Sequence, residues 1–325
     1  MAVEAHMLAS QSHHLQANIV VVLLDVYSYL DNVKYPMSQV RQRMYYYKFI
    51  VIAALESIGV PAAKVTFVEE SSYQFSREWI MDQWRICTLV PQQAVKDAWD
   101  RSYNPDMLSP MFCPVIQTLA EEHLDVDFQF GGADQRGIFA FAERFLPQLG
   151  YRERGHLMNP MIPNLHGSKM SSSHPPKTKI MFLDDVEAVK SKVIEAPWHG
   201  LDTVKNGVLS LLKNVLIPIA QLQLEQQDAL GTTEINGAGY TNGETPMGTS
   251  AAKGAVFTVE VDGKCRNFSS YSDVEQSLAD GSIQPDAIKA AVAKGIDDLL
   301  DHVRKMYKNH PEWQAVDKLA YPETA

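Results

Sequence analysis

Ile19 to Leu24 is an unbroken run of β-branched residues and leucine, the pattern of a central strand covered on both faces. Asp25 ends it, and a loop is expected up to Pro36. From Ser38 to Ile58 the residues Val40, Met44, Tyr47, Val51, Ala54 and Leu55 recur at helical spacing, which predicts an amphipathic helix stopped by Gly59 and Pro61. Val65 to Val68 reads as a second strand, so the chain opens on a βαβ unit whose sheet is expected to be parallel. Asp127 to Phe130, then Gly131-Gly132, then a helix from about Gln135 to Leu146 give a strand, a glycine turn and a helix N-terminus. Open parallel sheets bind ligands in such a crevice, because backbone N–H groups and the helix dipole face it.

The texture changes after Trp198-His199-Gly200, from alternating strands and helices to helices with a long polar insert. The expected organisation is therefore α/β: a parallel-sheet domain over residues 17–199, followed by a mainly helical domain over residues 200–325. Val208 to Ile219 predicts an apolar helix. Between Gly231 and Gly254 the chain is rich in Gly, Thr and Asn, which reads as a flexible insert. Val256 to Val261 alternates as a strand, and Asp262-Gly263 signals a hairpin. Ile288, Val292, Ile296, Leu299, Val303 and Met306 place the core stripe of a last helix from about Pro285 to Tyr307.

With 325 residues, 46% of them hydrophobic and 21% charged, the chain has an ordinary globular composition and room for two domains. Its apolar runs are too short to span a membrane, and Met1 to Gln16 lacks the basic start and apolar stretch of a secretory signal. Cys87, Cys113 and Cys265 are odd in number and far apart, so neither a disulfide framework nor a metal cluster is predicted. A cytoplasmic protein is the expectation. The net charge of -10 excludes a protein that grips nucleic acid over its whole surface. Lys169, Lys177, Lys179, Lys190, Lys192 and Lys205 still make the middle of the chain basic, as a local nucleic-acid face or a solvated helix face would be.

Chemistry concentrates in Gly167-Ser168-Lys169-Met170-Ser171-Ser172-Ser173. One lysine supplies a point charge for a phosphate, four serines donate hydrogen bonds, and Gly167 lets the backbone bend. Upstream stand Phe130-Gly131-Gly132-Ala133-Asp134-Gln135-Arg136 and His156-Leu157-Met158-Asn159-Pro160-Met161-Ile162-Pro163. In this order and spacing the three segments resemble the tyrosyl-tRNA synthetases of the eukaryotic cytosolic and archaeal type. The resemblance runs from about Ile19 to the C-terminus, continuous to about Leu216 and patchy beyond.

That resemblance implies a Rossmann-like catalytic domain followed by a helical anticodon-binding domain. It also implies ATP-dependent formation of tyrosyl-adenylate with Mg2+, transfer to tRNA(Tyr), and pairing into a homodimer. Lys169, Ser171, Ser172 and Ser173 take the catalytic role, aligning and stabilising the pyrophosphate that leaves. Gly132, Asp134, Lys169 and Met170 fall to ATP. Gln117, Gln135, Cys113 and Asp31 fall to the amino acid, although Asp134 could instead cap a helix and Asp31 could form an Asx turn. No metal ligands are expected. The stretch Phe139 to Leu146 carries enough aromatic surface for a dimer contact, and a buried core helix explains it equally well.

Two features depart from the family pattern. The family has a tyrosine where Cys113 stands and, where Ala120 stands, the aspartate that reads the phenol hydroxyl; Gln117 alone is kept. Losing that carboxylate should relax selection for tyrosine. Cys113 has no histidine at a spacing that suggests a nucleophile pair, so it reads as a pocket wall. In addition, no counterpart of the family's HIGH-type ATP signature occurs in Met1 to Asn18, where His13-His14 is a poor match. Three expectations stay open: a tyrosine-tRNA ligase, a catalytically impaired tRNA-binding relative, and a synthetase-like enzyme for another amino acid.

Overall fold

A computed structural model gives the fold and describes residues 18–32, 34–98, 107–170, 174–230 and 254–322. The expectations placed on Met1 to Gln16, on Ser171 to Ser173 and on the insert up to residue 253 lie outside the described residues. In chain order come β1 (Ile19–Leu23), α1 (Val26–Asn32), α2 (Met37–Ser57), β2 (Val65–Glu69), α3 (Ser71–Gln74), α4 (Arg77–Leu89) and α5 (Gln92–Ala98). Next are α6 (Cys113–His123), β3 (Phe128–Gly132), α7 (Arg136–Phe145), β4 (Gly155–Asn159) and α8 (Val186–Glu195). A long helix α9 starts as Gly207–Leu211, widens into a π-helical segment Leu212–Leu216 and continues as Ile217–Leu230. The hairpin β5 (Phe257–Val261) and β6 (Lys264–Phe268) is followed by α10 (Tyr271–Ala279), α11 (Pro285–Lys308) and α12 (Pro311–Ala320). The fold is thus α/β, Rossmann-like in its strand-bearing part and mainly helical toward the C-terminus.

Two compact units emerge. One comprises Val20–Lys48, Val65–Met161 and Glu312–Ala325. In it β1 is hydrogen-bonded to β2, and β3 runs parallel to β4 with Phe128 opposite Gly155 and Gly132 opposite Asn159. Its core is Trp79, Ile86, Val115, Ile116, Leu119, Phe141, Phe145 and their neighbours. Gly137 is needed there, because a Cβ would stand 2.4 Å from the Ala98 carbonyl oxygen. Helix α7 turns Phe141, Ala142 and Phe145 into this core, with Leu146 just after it, and Phe139 is buried against His156, so the aromatic stretch is packing and not a free surface.

Two expectations change. The segment after Asp25 is a helix, not a loop: Asp25 Oδ1 accepts the Val26 N–H at 3.0 Å and Glu70 Oε2 accepts the Tyr27 N–H at 2.7 Å, satisfying donors that a helix start leaves open. Glu70 is 43 residues away in sequence, where local patterning could not reveal it. In α2 the predicted stripe holds at Val40, Met44 and Leu55, but Tyr47 is 53% exposed while Ile50 and Ala53 are buried. The division between units falls at Lys48 and Phe49, within this helix.

The second unit comprises Met1–Ile19, Phe49–Lys64 and Ile162–Pro311. The predicted hairpin is present: β5 and β6 pair antiparallel around Asp262 (φ 52) and Gly263 (φ 71), both left-handed as a two-residue turn of this hand demands. Helix α11 lays the predicted stripe, buried from Ile288 to Val303, in contact with α8 and β5. Among the described residues one helix, Gly207–Gln226, is long and apolar enough to cross a membrane, and 61% of its apolar window is buried inside the protein. Leu209, Leu212 and Leu216 fill the core instead.

Helix α8 ends on a buried cation. Lys289 Nζ donates to the Ile194 carbonyl at 2.9 Å and the Ala196 carbonyl at 2.6 Å, which supplies donors to carbonyls that a helix end leaves unpaired. Lys289→Met keeps the stem and removes those donors. It should lower unfolding free energy by about 1–3 kcal/mol in urea titrations. A change under about 0.5 kcal/mol would show that water replaces the cap.

Candidate active site

Helix α6 and strand β3 carry a polar network in the first unit. Gln117 Nε2 donates to Gln129 Oε1 at 2.7 Å, and Gln129 Nε2 donates to Glu121 Oε1 at 2.9 Å. His156 on β4 extends it from Glu121 to Glu143, with Nε2 2.9 Å from Glu121 Oε1 and Nδ1 3.0 Å from Glu143 Oε1, and its ring stacks on Phe139 at 4.5 Å. Burial pushes the Glu121 carboxyl above its usual range, against the hydrogen bond from His156. Gln117, Ala120 and Glu121 share one helix face by their spacing of three and four, so the amide assigned to the amino acid is held by its own neighbours. Cys113, at the start of α6, is fully buried with Sγ 4.0 Å from the Tyr27 carbonyl.

The glycine turn after β3 is built for close approach. A Cβ on Gly132 would lie 2.7 Å from Asp134 Oδ1 and 3.0 Å from Met161 Sδ, and one on Gly131 would lie 3.0 Å from Gln135 Cγ. Asp134 caps neither the short turn Ala133–Gln135 nor α7. Neither Asp134 nor Gln135 has a hydrogen bond or ion pair among the described residues, and both are half-buried. Two polar side chains are thus left available at a helix start. Asp31 stands in the last turn of α1, half-buried and with an interaction of its own.

At the ends of β1 and β2 two acids are buried together. Asp25 is wholly inaccessible; its Oδ1 also accepts the Ser71 N–H at 3.0 Å and its Oδ2 lies 3.4 Å from Arg41 Nε. Glu70 is 1% exposed, and loss of hydration pushes its carboxyl up to about 7, against the Tyr27 N–H that favours the ion. Sequence reading missed Glu70, Gln129 and Glu121, since nothing local separates them from surface acids and amides. His156 stood within a quoted segment, without a role.

In the second unit Lys169 and Met170 are exposed, and Lys169 has no ion pair or hydrogen bond among the described residues. Gly167 has φ +79, and a Cβ there would fall 2.0 Å from the Lys205 carbonyl oxygen, so only glycine fits the turn before the lysine. The basic middle is partly neutralised: Lys192 pairs with Asp184 at 2.5 Å and Lys205 faces Asp202 at 4.0 Å. Lys177 and Lys190 are exposed.

These features coincide with a known family. The model of the tRNA synthetases class I (W and Y) matches residues 5–229. The chain belongs to that family. It is 36% identical over 94% of its length to the cytoplasmic tyrosine-tRNA ligase of Danio rerio, covering 52% of that protein. It is 35% identical to that of Saccharomyces cerevisiae, covering 72% of it. The tyrosyl-tRNA synthetase of Archaeoglobus fulgidus, solved with L-tyrosine, superposes with a TM-score of 0.72 at 26% identity over 92% of this chain and 83% of that one. This synthetase-family chain spans about half the length of its vertebrate relatives.

The buried acid gives this family member a pH signature. Glu70 holds its proton in the folded state up to about 7, whereas its ordinary value is 4.5. The folded state therefore binds the extra proton between those limits, and stability falls as pH rises through that window by roughly 3 kcal/mol from this group. Glu70→Gln should flatten that decline while leaving stability below pH 4.5 little changed. Urea titrations at acidic and neutral pH test it, and an unchanged slope in the variant would place the proton elsewhere.

Proposed function

We propose that this chain is a tyrosine-tRNA ligase that activates tyrosine with ATP to tyrosyl-adenylate and transfers the acyl group to tRNA(Tyr). The observation that carries the reading is that Asp134, Gln135 and Lys169, at positions matching the family's segments, have no partner among the described residues. A polar group left open at a glycine turn or beside a phosphate-type loop is available to a ligand. Lys169 stabilises charge on the departing pyrophosphate, helped by Ser171, Ser172 and Ser173, and Mg2+ enters with the nucleotide. Gly132, Asp134 and Met170 serve ATP, Asp134 accepting from the ribose. Gln135, Gln117, Cys113 and Asp31 border the amino acid, Cys113 from within the packing. Residues 17–199 form the catalytic domain and residues 200–325 the anticodon-binding one.

The relatives' cytoplasmic names support a cytoplasmic location. A homodimer is supported by Met81 and Trp84, neighbours on α4 at 44% and 62% exposure, with Phe75 just before them at 75%. A second reading, relaxed amino-acid selection, is favoured by Ala120 and by the commitment of Gln117 to Gln129.

Pyrophosphate exchange with each amino acid tests both. Exchange with tyrosine is expected, with discrimination against phenylalanine well under the roughly 10⁵ known from tyrosine-tRNA ligases themselves. Absence of exchange with any amino acid would leave a non-catalytic family member. Lys169→Ala should cost about 2.7–4 kcal/mol of transition-state stabilisation, seen in kcat. A fall under about threefold would remove Lys169 from the chemistry.

A further inference from the structure

We infer that Asn164 is the positioning residue for Lys169, its side-chain amide tying together both ends of the segment that carries the lysine. Asn164 is 2% exposed, five residues before Lys169 in the second unit. Its Oδ1 accepts the His166 N–H at 2.9 Å and the Ser168 N–H at 3.2 Å. Its Nδ2 donates to Ser168 Oγ at 2.8 Å and meets His174 Nδ1 at 3.2 Å. Backbone N–H groups only donate, so the atom facing them is the oxygen, and the amide nitrogen must face the histidine. His174 accepts there, with its ring proton on Nε2. All four hydrogen-bonding capacities of the amide are thereby used, two along the turn before Lys169, one on the Ser168 hydroxyl and one on the far side at His174.

The backbone reinforces the near side. Asn164 N–H donates to the Ser168 carbonyl at 2.8 Å, Gly167 N–H donates to the Asn164 carbonyl at 2.9 Å, and Pro163 bridges Lys169 in antiparallel fashion. A Cβ on Gly207 would stand 2.2 Å from the Asn164 carbonyl oxygen, so the residue is also locked against the start of α9. Among the described residues two bonds reach across the lysine, the side-chain bond from Asn164 to His174 and the backbone bond from the Leu165 N–H to the Thr178 carbonyl at 2.8 Å. The bond to His174 is the nearer of the two to Lys169 in sequence, five residues beyond it against nine. A buried amide is suited to this task because any unmade bond leaves a desolvated polar atom, which makes the tied state all-or-none.

The inference rests on the role proposed for Lys169, and two readouts separate them. The first is tryptic cleavage after Lys169 in the native full chain, with cleavage after the exposed Lys34 as internal reference. Losing one buried hydrogen bond should raise opening, and so cleavage after Lys169, about tenfold in His174→Ala. Asn164→Ala should exceed it, with Lys34 unchanged in both. Cleavage after Lys169 within about twofold of wild type in His174→Ala, or an equal rise at Lys34, overturns the inference, and His174→Ala decides it should Asn164→Ala not fold. The second is pyrophosphate exchange, in which His174→Ala should lower kcat and leave the KM for tyrosine unmoved. An unchanged kcat overturns the positioning role. If the wild type shows no exchange while cleavage responds as stated, the tie stands and the reaction assigned to Lys169 fails.

Discussion

Buried polar side chains that accept backbone N–H groups are the constraint on which both units depend. In the first unit Asp25 and Glu70 take the N–H groups of Val26, Tyr27 and Ser71, joining the ends of β1 and β2 to the starts of α1 and α3. Burying two carboxylates side by side is costly, and the displaced Glu70 proton is the visible part of that cost. What they return is a fixed strand edge. The crevice of a parallel sheet can hold ligands only if its strands end where their loops need them. In the second unit Asn164 performs the same task with a neutral group, at the turn before Lys169.

The same physics bears on selectivity. Along one face of α6 the chain carries Gln117, with Ala120 and Glu121 one turn on, and binds Gln117 to Gln129 and through it to Glu121 and His156. Glu121 Oε2 is the one buried oxygen of that network with no hydrogen-bond partner among the described residues, and Gln117 is already bound within it. Removing a carboxylate from a pocket wall takes away both an attraction for a phenol and a penalty against its absence. Under the relaxed-selection reading proposed above, discrimination falls for both reasons.

Around these sites the packing is ordinary, which is why so much of it could be read from pattern. The β5–β6 hairpin follows from Asp262-Gly263, since two left-handed residues between alternating strands allow little else. The α11 stripe follows from its period. Helix α2 shows where this stops: Tyr47, on the predicted stripe, is exposed, while Ile50 and Ala53, off it, are buried. The aromatic run in α7 was legible as helical, but which of its faces was covered was not, since a core stripe and a contact surface have the same composition.

Taken alone, the sequence determined the α/β character, the glycine turns, the lysine-serine segment and, through their order, the family. Those are local properties, set by periodicity and by backbone conformations few residues can adopt. Tertiary structure alone decided which polar residues are committed and which are open. Gln117 on α6 and Asp134 after the glycine turn are both half-buried, yet one is bound to Gln129 and the other has no side-chain partner among the described residues. Glu70 caps a helix 43 residues upstream, and Asn164 reaches His174 across the lysine. Hydrogen bonds between distant segments depend on where the fold sets each donor and acceptor, and no spacing along the chain encodes that distance.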